Sequence, residues 1–363
     1  MVALDVVRTI KRSLVQSQPL VAVFFGGTGG IGQFTLRVLA AAEAKEGGKG
    51  LRAYVIGRND KAAEVILADC RAVYPQGHYR FLKAEDLSLI SDVDRLCAEI
   101  MELERRESQD ANPRIDYLMI SQGGMPFLPR KDTKEGIDVT MSLMYYSRMR
   151  ILTKLLPLLL NSSRPTGATV VSVYAAGMDG TLYADDLSLR DPRHYRYATA
   201  RSHMCYMHVL FMESLAHRHP GADTKLACIH IFPGIVVGPG YQSTELPRWF
   251  RVVFHWVLLP LFGRWLTVPP SECGERMLSL ASPALYPPAR GATSARGGEG
   301  EGGAIVGTEG SPGSGVYSLT WNGESNFNPK PYQKFDREEM RTKVWDHTMR
   351  CFEVVEAGGV FTE

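Results

Sequence analysis

The stretch LVAVFFGGTGGIGQFTLRVLAAAEA, Leu20–Ala44, decides how the rest of the chain is read. Leu20–Phe25 is an unbroken apolar run, Gly26-Gly27-Thr28-Gly29-Gly30-Ile31-Gly32 is a turn, and Gln33–Ala44 is rich in helix formers. Glycines at Gly26, Gly30 and Gly32 let the backbone bend sharply and come close to a pyrophosphate, which then sits on the amides of the helix N-terminus. Strand, glycine turn and helix in that order form the first unit of a dinucleotide-binding βαβ fold.

Outward from this unit the same alternation continues. Strands are predicted at Leu51–Ile56, Tyr79–Leu82, Ile115–Ile120, Ala168–Val173 and Leu226–Phe232. Helices are predicted between them at Lys61–Val73, Ser91–Arg106, about Glu135–Leu160, and in a stretch reaching Arg218. Such a chain is expected to be α/β, a Rossmann-type doubly wound parallel sheet covered on both faces. We divide it into an N-terminal helical extension (1–19), a single Rossmann domain (20–289 and 316–335) and a C-terminal helix and tail (336–363). Residues 290–315 hold ten glycines in 26 positions and are expected to form a flexible insertion. Val316–Trp321 reads as the last strand, and Asp336 as the N-cap of the closing helix.

Composition excludes several functions. With 41 Lys+Arg against 39 Asp+Glu, the net charge of +2 leaves no basic excess for nucleic acid. The six cysteines form no C-x-x-C pair and the nine histidines show no metal spacing, so no metal is expected. Scattered thiols, and charges interrupting the first residues, point to a cytoplasmic protein. The apolar, aromatic stretch Trp249–Leu266 has only 12 uncharged residues between Arg251 and Arg264. As a helix these span about 18 Å against a membrane core of about 30 Å, so no transmembrane segment is expected. Shallow membrane association and ordinary core packing are two readings of this stretch.

The spacing Gly26-x-x-x-Gly30-x-Gly32 resembles that of the short-chain dehydrogenase/reductase family, and the resemblance runs over roughly Leu20–Gly238. It implies cofactor contacts from Gly26, Thr28, Gly30, Ile31 and Gly32, and from Asp86, which matches the aspartate that contacts the adenine amino group. Ser121-Gln122-Gly123-Gly124 stands where the family has Asn-Asn-Ala-Gly, so Ser121 and Gly123 keep small residues and the asparagines are lost. Pro233-Gly234-Ile235-Val236 resembles the segment that closes over the nicotinamide, through Pro233, Gly234 and Val236. The resemblance implies a third reading of the apolar stretch that follows, a substrate lid at about 240–268. The second strand ends Ile56-Gly57-Arg58-Asn59, with no acid before Asp60. An arginine there can hold a 2′-phosphate, so Arg58 points to NADP(H).

The family's Ser, Tyr, Lys and Asn tetrad is not matched. Ala200–Ala216 aligns without a gap on the Tyr/Lys helix, in a form most like the retinol-dehydrogenase-type members. That register puts Arg201 at the Tyr position and Cys205 at the Lys position. Tyr174 falls at the Ser position, with Ser172 two residues early as a substitute hydroxyl, and Met144 lies near the Asn position. A shifted register keeps the chemistry: Tyr197 and Arg201 have the Y-x-x-x-cation spacing, one helical turn apart, with Tyr195 a neighbouring candidate. A cation beside a phenol favours its ionised form, although an arginine cannot relay a proton.

Tyr145–Arg150 and Arg201–His203 are also similar to a group of fungal members of this family often encoded in specialised-metabolite gene clusters. The resemblance implies an NADP(H)-dependent oxidoreductase acting on the ketone or alcohol of a hydrophobic small molecule. Its rivals are a redox-silent isomerase or cyclase on the same fold, and a non-catalytic NADP-binding regulator. It also implies a homodimer or homotetramer, formed through the helices around Lys134–Leu160 and Arg201–Arg218.

Overall fold

The structure, a computed structural model, describes residues 2–108, 112–123, 129–219, 225–238, 248–289 and 303–363. Seven strands form one sheet: β1 (Leu20–Phe25), β2 (Leu51–Gly57), β3 (His78–Lys83), β4 (Tyr117–Ile120), β5 (Ala168–Val173), β6 (Leu226–Ile231) and β7 (Val316–Leu319). Their order is β3-β2-β1-β4-β5-β6-β7, and every neighbouring pair is parallel. The order reverses at β1, where β2 lies on one side and β4 on the other, so a crevice opens at their C-terminal ends. All residues of β1, β4, β5 and β6 are buried, as continuous apolar strands between two helical layers must be.

One layer holds α1 (Leu4–Ser17), α2 (Gly30–Lys45), α3 (Asp60–Val73) and α10 (Pro270–Ser279), with Leu36, Leu39, Ile66, Leu67, Met277 and Leu278 against the sheet. The other holds α4 (Ile90–Glu107), α6 (Ser147–Leu160), α7 (Tyr197–Arg218) and α11 (Arg337–Glu356). The helix expected from about Glu135 starts later. Gly136 turns with φ +79°, and the Asp138 carboxylate accepts from Met141 N at 2.9 Å to cap α5 (Val139–Met141). A π-helical turn, Ser142–Tyr146, then joins α5 to α6.

Order also returns earlier than Val316. Residues 290–302 of the glycine-rich insertion lie outside the described residues, but Ile305 N donates to Leu285 O and Val306 bridges Pro312. Thr308 N donates to Val316 O, which lays this short turn along the end of the sheet. Glycine content averaged over the window hides the apolar pair Ile305-Val306 that anchors it.

The faces of α6 and α7 expected to pair between copies are already occupied. Ile151, Leu152, Leu155, Phe211 and Leu215 are buried within the chain itself. The closing helix α11 lies on α7: Trp345 stacks on Phe211 at 4.7 Å, Thr348 Oγ1 meets Tyr145 OH at 2.7 Å, and Glu356 accepts from Arg150 at 3.0 Å. Assembly through those faces would require α11 to leave, and nothing in residues 134–218 alone shows this. Phe352, fully buried in that contact, is expected to lose about 1 kcal/mol on replacement by Leu. Urea unfolding of Phe352→Leu checks this, and an unchanged midpoint would mean that α11 is not part of the cooperative core.

Candidate functional site

The glycine turn begins where β1 ends. Gly26 has φ +84°, and a Cβ there would lie 2.6 Å from Gln122 N. At Gly32 a Cβ would lie 2.5 Å from Gly26 O, so this position must be glycine for α2 to start so close to the sheet. Gly29 and Gly30 differ: among the described residues a Cβ at either would meet nothing within 4 Å. No side chain caps α2 at Gly29, and no acid lies in its first turn. Among the described residues, the first amides of α2 are therefore left uncrowded at the positive end of the helix dipole, which suits a pyrophosphate. Residues Gly26–Gly32 fit a dinucleotide, with Thr28 packed on Gly57 at the end of β2 and Ile31 half-buried.

Around this cradle the other expected contacts fall at strand ends. Arg58 is exposed directly after β2, while Asn59 caps α3 by accepting from Ala62 N at 3.0 Å. Asp86 follows β3 and uses one oxygen to accept from Ser88 N and Oγ, at 2.9 and 2.7 Å. Ser121 Oγ donates to Phe25 O at 3.2 Å and joins the ends of β4 and β1. Gly123 has φ +147° and packs against Met144, which places the π-helical turn beside it; Gly124 lies outside the described residues. After β6, Pro233 and Gly234 (φ +75°) lead to Val236, which is buried. This segment is tied to the chain beyond the apolar stretch, since Val268 N donates to Ile235 O at 2.9 Å.

The catalytic candidates separate into two groups. Helix α7 starts at Tyr197, and Arg201, one turn later, donates from Nη1 to the Tyr197 hydroxyl at 3.0 Å. Both side chains are half-buried. Tyr174 belongs to the same neighbourhood. Burial pushes its phenol well above the ordinary value, Cys205 adds to the rise, and Arg148 and Arg201 oppose it. Cys205 is fully buried and donates its thiol to Ala175 O at 3.0 Å, with burial raising its pKa, so it supplies no charge where the family has lysine. Ser172 is not at the site. It is fully buried, and its hydroxyl accepts from Arg148 Nη1 at 3.0 Å inside the sheet layer, out of a substrate's reach. Tyr195 is spent as well: its hydroxyl donates to Asp138 Oδ1 at 2.8 Å.

Arg148 is the residue that sequence reasoning missed. It is buried, among the described residues no carboxylate bonds to it, and its guanidinium donates to Val173 O, Gln122 O, Leu143 O and Ser172. Burial lowers its pKa to about 10, so it stays charged at neutral pH and pins together the strand ends that carry Gly123 and Tyr174. The available signal was an arginine among apolar residues on a helix facing the sheet. Behind it His208 and His230 stack at 4.7 Å, with Tyr174 5.6 Å from His208. Burial holds both imidazoles neutral, His208 at about 3.

Asp179, in the loop after β5, was also missed. It accepts from Tyr332 OH at 3.2 Å, and burial raises its pKa to about 6. The native state thus keeps a proton that the unfolded chain releases near pH 4, and the associated stability is lost as pH rises from about 4 to about 6. Relative to Asp179→Asn, the wild type is expected to lose on the order of 2 kcal/mol between about pH 4 and about pH 7. Urea unfolding at the two pH values measures the difference; parallel losses would show that this carboxyl has an ordinary pKa.

A cavity of about 690 Å³ lies at the opposite, N-terminal end of the strands, lined by Arg52, Arg80, Arg106 and Arg114 among others. These arginines are paired with Glu104, Glu107, Glu102 and Asp116, which leaves this cavity no such cradle for phosphate. Among the described residues no group of three His, Cys, Asp or Glu could hold a metal, and no helix is long and apolar enough to cross a membrane.

A parallel sheet reversing at β1, with a glycine turn opening onto a helix N-terminus, defines a fold of the Rossmann type. The chain belongs to the short-chain dehydrogenase/reductase family. It is 35% identical over 357 residues to the short-chain dehydrogenase/reductase SAT2 of Stachybotrys chartarum, covering 97% of each chain. With the oxidoreductase andH of Emericella variicolor it shares 33% identity, over 93% of this chain and 92% of that one. The Pseudomonas aeruginosa RhlG/NADP active-site complex superposes with a TM-score of 0.51 at 20% identity, over 74% of this chain and 91% of that one, which shows the fold. No family model matches the chain.

Proposed function

We propose that this oxidoreductase uses NADP(H) to reduce the ketone, or oxidise the corresponding alcohol, of a hydrophobic small molecule, as a step in fungal specialised metabolism. The observation that carries the reading is the 3.0 Å pair of Tyr197 and Arg201 at the start of α7. In the reducing direction Tyr197 passes its proton to the substrate oxygen, and Arg201 stabilises the phenolate left behind. NADPH, when bound, supplies the hydride. Exposed Arg58 after β2 supports recognition of the 2′-phosphate, the NADP-bound neighbour is consistent with it, and the fungal relatives support an oxidoreductase of this family. The apolar stretch 248–266, whose far end is tied to Ile235, supports a lid and hence a hydrophobic substrate.

A second reading is favoured by one observation. In the gapless register Cys205, buried and bonded to Ala175, stands at the lysine position beside Arg201 and offers no proton relay, as suits a redox-silent isomerase or cyclase. Incubation with NADPH and a panel of apolar ketones, with cofactor oxidation and product followed together, separates the two. Product with stoichiometric NADPH loss supports the reductase; product without NADPH loss replaces it with the second reading.

A further inference from the structure

Residues 248–266 form one nearly continuous helical rod: α8 (Arg248–Val253), a π-helical turn (Phe254–Leu258) and α9 (Leu259–Leu266). At 1.5 Å per residue it is about 28 Å long. Its inner side is seated through Phe254, which is 5% exposed, and its end is tied in by the Ile235 and Thr267 bridge. The outer side carries Trp249, Val252, Val253, Trp256, Val257 and Leu261, all exposed, with Trp249 at 69%, Trp256 at 79% and Leu261 at 61%. These positions recur at intervals of three and four, so they form a single stripe. An apolar stripe of this size facing water marks a contact surface.

Charge identifies the partner. Between Leu246 and Ser271 the sequence contains Arg248, Arg251 and Arg264 and neither Asp nor Glu. Two copies meeting through this rod would bring arginines together, whereas an anionic lipid surface offers acyl chains for the stripe and phosphates for the cations. The exposed indoles suit that boundary, being apolar bodies with one polar N–H. The rod is too short and too charged at both ends to span a bilayer. We infer that residues 248–266 dock this protein, flat and half-immersed, on an anionic membrane surface. The test below does not require turnover, so its failure and failure of the proposed reaction are distinguishable.

Flotation of the full chain with phosphatidylcholine vesicles, with and without phosphatidylserine, tests this. The wild type is expected to float with the mixed vesicles, to float less with phosphatidylcholine alone, and to be released by salt. Trp249→Glu combined with Trp256→Glu should weaken binding roughly tenfold per indole or more. Both side chains are exposed, so thermal unfolding should stay near the wild-type midpoint, and Trp249→Ala with Trp256→Ala is the milder pair if it does not. Failure of the wild type to float, or equal flotation of folded wild type and variants, overturns the inference. So does light scattering that shows a dimer which the double variant dissociates without any vesicle binding.

Discussion

Tyr197→Phe is expected to reduce turnover by about 10²- to 10⁴-fold, equivalent to about 3 to 5 kcal/mol, while leaving NADPH affinity unchanged. The expectation follows from the Arg201 guanidinium lying 3.0 Å from the Tyr197 hydroxyl at the first turn of α7. Removing the hydroxyl removes the proton and keeps the ring. Arg201→Met, in turn, leaves the proton in place but withdraws the charge that stabilises the phenolate, so a fall of similar direction and smaller size is expected. The two variants also distinguish the gapless alignment, in which Arg201 alone polarises the carbonyl, from the shifted one. A nearly silent Tyr197→Phe with a severe Arg201→Met would transfer the role to Arg201. Steady-state kinetics with NADPH fluorescence titration of each variant provides both readouts, and retention of activity by both would remove the pair from the mechanism.

Arg58→Asp should weaken NADPH binding by about 10²- to 10³-fold and NADH binding far less. The variant loses a charge-assisted contact and places a carboxylate opposite a phosphate dianion. Arg58 is exposed, and the neighbouring Asp60 is paired with Lys83, so the substitution should leave the fold intact. Titration with each cofactor measures the ratio. Equal losses for NADPH and NADH would reject the assignment of the 2′-phosphate to this residue.

Some of the site could be read locally. Gly26, Gly30 and Gly32 between an apolar run and a helix-forming run are a short-range pattern, because backbone bending and Cβ clashes depend on neighbours in sequence. The Tyr197 to Arg201 contact was legible for the same reason, since residues four apart share a helix face. Ser172 was not. Whether a hydroxyl at a strand end meets a substrate or the core depends on what packs over it, and here that is Arg148, contributed by another helix. Asp179 likewise has an altered pKa because Tyr332, from the segment after β7, folds over it.

By itself the sequence determined the alternation of strands and helices, the parallel sheet it requires, and the glycine turn between β1 and α2. Each follows from periodicity and local stereochemistry, which tertiary contacts support without altering. Only the tertiary structure decided that Ser172 is buried against Arg148, and that α11 covers the helix faces that looked available for a second copy. It also decided that the apolar side chains of Trp249, Trp256 and Leu261 face water. The physical reason is common to all three. An apolar or polar side chain carries the same sequence signal whether covered or exposed, and its partner is supplied by segments tens to hundreds of residues away.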